Sequence, residues 1–379
     1  RSPWAKGMAT GVDIRSYDWT NDISEMAADA NLIDISNHSY GAGMGWNLFA
    51  DASSPTGGRD WWLGDMSVST VEDSAFGAYN SRSVELDQVL YSNSELLSVW
   101  AAGNDRNDQY LNYAGDGFYV AYFSADPGIA GWAGAGYYLV AAANFPPPPG
   151  DGNGGTGFDT LGDRQVAKNN LTVGAVEDVT SDPYFSTDIN SAIFSSWGPA
   201  DDGRIKPDVV GNGVDLYSTL DTSNTAYTSM SGTSMASPNV AGTAVLIKQH
   251  FESKLGYSPL SSTLKGLIIH SASDAGTAGP DYSYGWGLVN AETAADVITM
   301  AAEGKGDAEK IQSVYAGSER TFTVVSAGIN PLTATICWTD LPGTATSGGL
   351  DNSTSVLVND LDLWITDNNG NTYYPWTLN

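Results

Sequence analysis

A serine in the stretch "SGTSMASP", residues 231–238, stands where a chain could mount a nucleophile. A serine hydroxyl attacks a carbonyl group only when a base, an oxyanion site and a rigid support surround it. Val240, Ala241 and Ala244 recur at helical spacing after it, so Ser234 is predicted to lie in the first turn of a helix. The unpaired N–H groups and the positive dipole end of that helix would favour negative charge beside the hydroxyl.

An asparagine in "WAAGND" offers a second polar group for the same chemistry. Asn104 follows the apolar run "LLSVWAA", which is typical of a buried parallel strand. Open α/β sheets gather their ligand sites at the carboxyl ends of such strands. Taken singly, a serine at a helix start is most simply an N-cap, and an asparagine after a strand is most simply a turn residue. Their conjunction favours an oxyanion site.

Both stretches belong to a wider pattern with "FSSWGP", "GRIKPDVV" and "YGWGLVNA", and this pattern resembles the subtilisin-like serine proteases over roughly residues 6–300. The resemblance implies an extracellular enzyme that cleaves peptide bonds of a polypeptide substrate. It implies an acyl-enzyme on Ser234, with Asn104 as the side-chain oxyanion donor. It also implies substrate-binding strands that wall the specificity pocket, formed by Ser39, Tyr40, Gly41, Ala101, Ala102 and Gly103.

The general base is the part of the pattern that the sequence lacks. The family order is Asp, His, Asn, Ser, yet none of the three histidines, His38, His250 and His270, lies in an "HGTH" helix start. His38 adjoins "SYG". His250 is interpreted as a helix residue on the solvent side, and His270 as a hydrogen-bonded histidine near the core. We therefore expect an N-terminally truncated catalytic domain, whose His and Asp lie before Arg1. The alternative is an inactive pseudoprotease that serves as a binding module.

The amino-acid composition limits the kinds of partner that this chain is expected to bind. Its 379 residues include 44 acidic and 16 basic side chains, which gives a net charge of -28. Such a surface is a poor partner for nucleic acid and anionic membranes. No apolar run reaches the roughly 18 residues that would span a bilayer. The single cysteine, Cys337, rules out an internal disulfide and does not distinguish a cytosolic from a secreted protein. The oligomeric state stays open.

Alternating strand and helix patterns predict a doubly wound parallel α/β sheet. Helices are expected at "ISEMAADAN", over about residues 71–91, after Ser231 and at "LSSTLKGLIIHSAS", where the serines would cap the start. Strands are expected at "VDIRSYD", "LIDIS", "LLSVWAA" and "LTVGAV". The Gly-, Tyr- and Pro-rich region between Asn104 and Val166 predicts a long insertion of surface loops.

A second domain is predicted after the catalytic one. Residues 1–302 would form the subtilisin-like domain, residues 301–310 a linker, and residues 303–379 an all-β sandwich that is incomplete at its C-terminus. The stretch "LVNDLDLWI" is similar to the jelly-roll domain, related to proprotein-convertase P domains, that follows some bacterial subtilases. Asn359, Asp360 and Asp362 are candidate ligands for a structural calcium ion. A solvated strand edge blunted by charge is the alternative.

Overall fold

The computed structural model describes residues 2–50, 57–113, 115, 117–122, 136–181, 184–305, 319–326, 328, 331–346 and 349–378. The helices are α1 (Asp22–Asp29), α2 (Ser81–Ser92), α3 (Thr233–Leu255), α4 (Ser261–Ser271) and α5 (Ala291–Ala302). The strands are β1 (Ile35–His38), β2 (Trp46–Ala50), β3 (Gly58–Trp62), β4 (Leu97–Ala101), β5 (Phe118–Tyr122), β6 (Gly136–Val140), β7 (Leu171–Val176), β8 (Val209–Asn212), β9 (Leu216–Thr219), β10 (Tyr227–Met230), β11 (Ile365–Thr366) and β12 (Thr372–Tyr373).

The helices pack on a parallel sheet whose strands have the order β1-β4-β7-β8. Every residue of β4 and β7 is buried, as expected when helices cover both faces of a parallel sheet. Val99 of β4 faces the cluster that contains α3, α4 and α5, whereas the adjacent Trp100 packs with α1 and α2. This alternation confirms the predicted doubly wound α/β fold.

A second sheet corrects the prediction that the region after Asn104 consists of surface loops. Strands β5 and β6 pair with each other and join β2 and β3 in the order β2-β3-β5-β6. Its core contains Trp46, Trp62 and Phe118, whose rings meet edge to face. Of the aromatic residues in the region predicted as loops, this sheet buries Phe118, and Tyr110, Tyr138 and Phe145 pack against its core.

Several element boundaries differ from the expected ones. Helix α2 begins only at Ser81, because the side chain of Asn80 caps it by accepting from the backbone N–H groups of Arg82 and Ser83. No strand forms at "VDIRSYD", where the exposed residues have no neighbouring strand to pair with. Helix α4 starts after Leu260 without a side-chain cap, so the predicted serine cap is wrong.

The chain beyond α5 departs most from the expected pattern. Helix α5 continues to Ala302, so the predicted linker begins later than residue 301, and residues 306–318 lie outside the described residues. Among the described residues after 302, only β11 and β12 pair as strands, and a strand requires a hydrogen-bonded neighbour. The β-sandwich and the boundary at 302 therefore stay predictions.

Part of this C-terminal region packs on the α/β body. We call residues 338–346 and 349–358 the docked segment. The buried Lys168 ammonium donates to Asp340 Oδ2 at 2.6 Å and to the Val356 carbonyl at 3.0 Å. The N–H of Gly343 donates to the hydroxyl of Tyr79 at 3.1 Å. These contacts attach the docked segment to Tyr79, just before α2, and to the loop before β7.

Candidate active site

Ser234 lies in the first turn of α3, as its sequence context predicted. Pro238 has no N–H, so the carbonyl of Ser234, four residues earlier, receives no hydrogen bond from the helix there. Ser39 takes this free carbonyl: its Oγ donates to Ser234 O at 3.0 Å, and Ser234 Oγ donates back to Ser39 O at 3.2 Å. The helix start is thereby fixed to the carboxyl end of β1.

Asn104 follows β4, the neighbour of β1 in the sheet, and its amide has a fixed orientation. Its Oδ1 accepts from the backbone N–H of Thr233 at 2.9 Å and from the Thr233 hydroxyl at 3.0 Å. Because an amide nitrogen cannot accept these bonds, Oδ1 and not Nδ2 must face Thr233. The Nδ2 group is left free to donate elsewhere. Sequence reasoning missed this role of Thr233, which directly precedes Ser234.

Gly232 makes the space next to these groups. Its φ of 156° lies at the limit of the region that side chains avoid. A Cβ at this position would lie 3.7 Å from Asn104 Nδ2 and 3.6 Å from the sulfur of Met235. The N–H of Ser234 belongs to the first helical turn, where backbone donors have no partner within the helix. Asn104 Nδ2 and the Ser234 N–H can therefore donate to an oxyanion beside Ser234.

The first predicted pocket wall, residues 39–41, divides between two environments. Ser39 touches Ser234, as described above. The hydroxyl of Tyr40 turns away, donates to Asp22 at 2.9 Å and lies 2.7 Å from His38 Nδ1. Gly41 is tightly placed, since a Cβ there would fall 2.8 Å from Gln165 Nε2.

The second predicted wall, residues 101–103, belongs largely to the sheet. Ala101 and Ala102 are buried, and the N–H of Ala102 donates to the Val173 carbonyl at 2.9 Å. Gly103 is half-buried, and its N–H donates to the Thr233 hydroxyl at 3.2 Å. This segment therefore offers backbone rather than side chains to a bound ligand.

His38 lies on the opposite face of the sheet from Ser234. Residues on either side of it bond to α3, since Asn37 accepts from Ser237 at 2.8 Å and Ser39 contacts Ser234. The imidazole itself stacks on Trp100 with ring centroids 4.2 Å apart. Burial lowers the pKa of His38 to about 4. Because strand side chains alternate, His38 cannot take a proton from Ser234 without a break in β1.

The other two histidines are also engaged away from Ser234. His250 is half-buried, with its Nε2 3.1 Å from the hydroxyl of Thr299. At about 1.5 Å per residue it lies roughly 24 Å further along α3 than Ser234. His270 is near Thr335, with 2.9 Å between Nδ1 and the hydroxyl, and burial lowers the pKa of His270.

Three carboxylates lie close together in space, near Asn104. Asp105, Asp108 and Asp151 each offer an oxygen within 4.8 Å of the others, and the Oδ2 of Asp151 is buried without a hydrogen-bond partner. Burial raises the pKa of Asp105 to about 7, that of Asp108 to about 6 and that of Asp151 to about 9. Such an oxygen group could hold a hard cation. Sequence spacing gave no signal for it, because Asp151 joins the group through folding.

The calcium ligands expected at Asn359, Asp360 and Asp362 stay a prediction. The amide of Asn359 donates to Asp340 Oδ1 at 2.9 Å, and Asp360 and Asp362 are exposed. Residues 359–362 form no strand in the described part of the chain, so the expected alternation of ligands along a strand is lost. Of the described acidic residues, those that converge lie elsewhere, beside Asn104 and around Asp159.

The comparisons with known proteins agree with this geometry. The family model described as "Subtilase family" (Peptidase_S8) matches residues 2–287. The chain belongs to the subtilase family. This confirms the resemblance drawn from the motifs around Asn104 and Ser234.

Relatives of this subtilase are proteases of much greater length. It is 26% identical to the serine protease/ABC transporter B family protein tagA of Dictyostelium discoideum, over 45% of this chain and 11% of that protein. It is 32% identical to the PII-type proteinase of Lacticaseibacillus paracasei, over 34% and 8%, and 39% identical to pyrolysin of Pyrococcus furiosus, over 25% and 8%. The subtilase chain spans about a tenth of the length of these relatives.

Solved structures similar to this subtilase include a protease domain and a maturation protease. The self-cleaved protease domain of PatA is 16% identical, with a TM-score of 0.41 over 77% of this chain and 71% of that one. The prenylagaramide maturation protease PagA is 19% identical, with a TM-score of 0.40 over 76% and 70%. Among the helices in the described part of the subtilase, none has the length and apolar character to cross a membrane.

Proposed function

We propose that this subtilase is a serine endopeptidase that cleaves peptide bonds through an acyl-enzyme on Ser234. The observation that carries the proposal is the pair of bonds from Thr233 to Asn104 Oδ1, at 2.9 and 3.0 Å. They hold an amide beside the first turn of α3 with its donor group free. A helix start, a serine and a fixed amide donor form an arrangement suited to acyl transfer.

Each group has a separate part in this reaction. Ser234 Oγ would attack the scissile carbonyl carbon while its proton passes to a histidine base. The negative charge that develops on the carbonyl oxygen would be stabilised by Asn104 Nδ2 and the N–H of Ser234. The same base would then protonate the leaving amine, and water would release the acyl group from Ser234.

The base and its orienting aspartate are proposed to come from outside residues 1–379. Support comes from the three histidines of this chain, since His38, His250 and His270 are engaged with Trp100, Thr299 and Thr335. The same observation also favours the alternative of an inactive pseudoprotease that binds polypeptides without cleaving them. The two functions differ in whether a longer chain places a histidine at Ser234.

The substrate is proposed to be a polypeptide that lies along the carboxyl ends of β1 and β4. Ser39, Tyr40 and Gly41 would line one side, and Ala101, Ala102 and Gly103 the other. We further propose an extracellular site of action, a domain boundary near residue 302, and a structural role for calcium. The net charge of -28 is consistent with bound divalent cations.

The test is peptide hydrolysis by a longer chain that includes the upstream residues. We expect Ser234→Ala to abolish turnover and Ser231→Ala, an exposed residue just before α3, to retain it. Retained binding of peptides with no turnover in the unmodified longer chain would instead establish the pseudoprotease.

A further inference from the structure

Four carboxylates from distant parts of the chain meet beside Gly77. Glu72, Asp159 and Asp351 each offer an oxygen within 4.8 Å of the others. Asp201 joins them: its Oδ1 would lie 1.9 Å from a Cβ on Gly77, and Asp159 Oδ1 would lie 2.5 Å from the same point. Gly77 has a φ of +69°, and any side chain there would fill the space between these oxygens.

Two of these carboxylates, Glu72 and Asp159, are buried, whereas Asp201 is half-buried and Asp351 is exposed. Glu72 is 3% exposed and Asp159 is 6% exposed. Glu72 Oε1, Asp159 Oδ1 and Asp201 Oδ1 are all buried and lack a hydrogen-bond donor. Across the described parts of the chain, no lysine or arginine forms an ion pair with Glu72, Asp159 or Asp351. Buried charges of this kind are normally paired or bound to a metal.

Burial and crowding also change the pKa values of these carboxylates. Burial, together with the neighbouring carboxylates, raises the pKa of Glu72 to about 7, that of Asp159 to about 9 and that of Asp201 to about 7. Burial and mutual repulsion thus disfavour the charged forms of Glu72, Asp159 and Asp201. A divalent cation would offset the repulsion between the carboxylates and would coordinate the oxygens that lack a partner.

We propose that Glu72, Asp159, Asp201 and Asp351 bind a calcium ion that clamps the docked segment to the α/β body. The four side chains offer only carboxylate oxygens. Such oxygens suit hard cations such as calcium better than softer metals. Their positions come from separate loops, and calcium tolerates such irregular geometry better than magnesium does. Asp351 belongs to the docked segment, whereas the other three belong to the body.

The surroundings support a link between the two parts. The N–H of Asn352, the residue after Asp351, donates to Asp201 Oδ2 at 3.2 Å, so that Oδ1 of Asp201 can face the cation. A cavity of about 220 Å³ adjoins the group and is lined by Asn80, Asp201, Thr346 and Asn352, among others. It leaves room for the water molecules that would complete a calcium shell.

The first experiment counts calcium on the full-length protein. The protein is stripped with a chelator, dialysed against calcium, and analysed by elemental mass spectrometry and calorimetric titration. We expect Asp159→Asn and Glu72→Gln to bind one calcium ion fewer than the unmodified protein, or to bind it at least about tenfold more weakly. The matched control, Asp221→Asn, removes an exposed carboxylate on the β9–β10 turn and should leave the count unchanged.

A second readout separates the metal site from a structural role. Calcium should raise the unfolding midpoint of the unmodified protein by about 4 °C beyond sodium chloride of equal ionic strength, and magnesium should do less. In chelator, Asp159→Asn should be at least as stable as the unmodified protein, because it removes one of the repelling groups. Calcium should also protect residues 349–352 from hydrogen exchange, and Asp351→Asn should abolish that protection.

Two results would overturn the proposal. One is an unchanged calcium count in both Asp159→Asn and Glu72→Gln. The other is an equal midpoint shift from calcium and sodium chloride, which would assign the effect to general charge screening.

Discussion

Ser39 and Ser234 exchange two hydrogen bonds, each side chain donating to the other's carbonyl, at 3.0 and 3.2 Å. The hydroxyl proposed as the nucleophile therefore donates its hydrogen bond to a main-chain carbonyl, which cannot act as a base. Pro238 makes this exchange available because it leaves the carbonyl of Ser234 free. Among the described residues no base contacts the Ser234 hydroxyl, so we infer that this serine is positioned but not activated there.

The first prediction follows from that unactivated state. Residues 1–379 alone should hydrolyse peptides at no more than a trace of the rate of the longer chain, because oxyanion stabilisation and binding leave only small residual catalysis without a base. Initial rates on a fluorogenic peptide measure this. Robust turnover that disappears in His38→Ala would contradict both the proposed location of the base and the orientation of His38 away from Ser234.

The second prediction concerns Asn104 in the longer, active chain. Removing the side-chain oxyanion donor of subtilisin itself lowers kcat by about 10²–10³-fold, and that measured loss is the size expected here for Asn104→Ala. Asn104→Asp keeps an oxygen for Thr233 but loses the donor, so its kcat should fall as well. The fall should appear in kcat, with little change in KM.

Thr233, which fixes the Asn104 amide, provides a control for this prediction. Thr233→Ser retains both bonds to Asn104 and should leave kcat nearly unchanged. If Asn104→Ala also kept its full kcat, Asn104 would be no more than a turn residue.

The third prediction is a pH-dependent stability that originates at His38. Burial lowers the pKa of His38 to about 4, whereas an unfolded histidine titrates near 6.5. Above pH 6.5 the ring is neutral in both states. Between pH 6.5 and 4 only the unfolded chain binds the proton, so the free energy of unfolding should fall by about 3 kcal/mol, and the loss should stop below pH 4.

Denaturant unfolding from pH 8 to pH 4 measures this slope. His38→Phe keeps a ring against Trp100 and should flatten the dependence, whereas His250→Gln serves as the matched histidine control. An equal slope in the unmodified protein and His38→Phe would refute the assignment.

The fourth prediction uses Met235, whose sulfur lies 3.6 Å from the position of a Cβ on Gly232. Peroxide should lower the turnover number of the longer chain, because a sulfoxide adds a polar oxygen beside the nucleophile. Met235→Leu should resist this loss, and Met230→Leu, which removes an exposed methionine nearby, should not. Complete oxidation of residue 235 with undiminished turnover would place Met235 away from the reacting groups.

Local features were the ones that the sequence could predict. Asn104 follows an apolar strand, and Ser234 precedes apolar residues at helical spacing, so their positions after β4 and in the first turn of α3 could be predicted from neighbouring residues. The buried runs of β4 and β7 were equally clear, since parallel strands covered on both faces are apolar throughout.

Features assembled from distant segments could not be predicted. Strand β3 pairs with β5 across a long stretch of chain, and strands β5 and β6 lie in the region between Asn104 and Val166 that was interpreted as loops. Asp159 and Asp351 meet only after the docked segment has packed on the body. Neither spacing nor periodicity carries a signal for such contacts, because both describe neighbours along the chain.

The most direct test is covalent labelling of the longer chain with a fluorophosphonate, followed by peptide mapping by mass spectrometry. A nucleophile that is activated by a base and faces two oxyanion donors should carry the phosphonyl group on Ser234. The label should disappear in Ser234→Ala and persist in Ser231→Ala. No label on Ser234, or a label on another serine that survives Ser234→Ala, would contradict the assignment of Ser234 as the nucleophile.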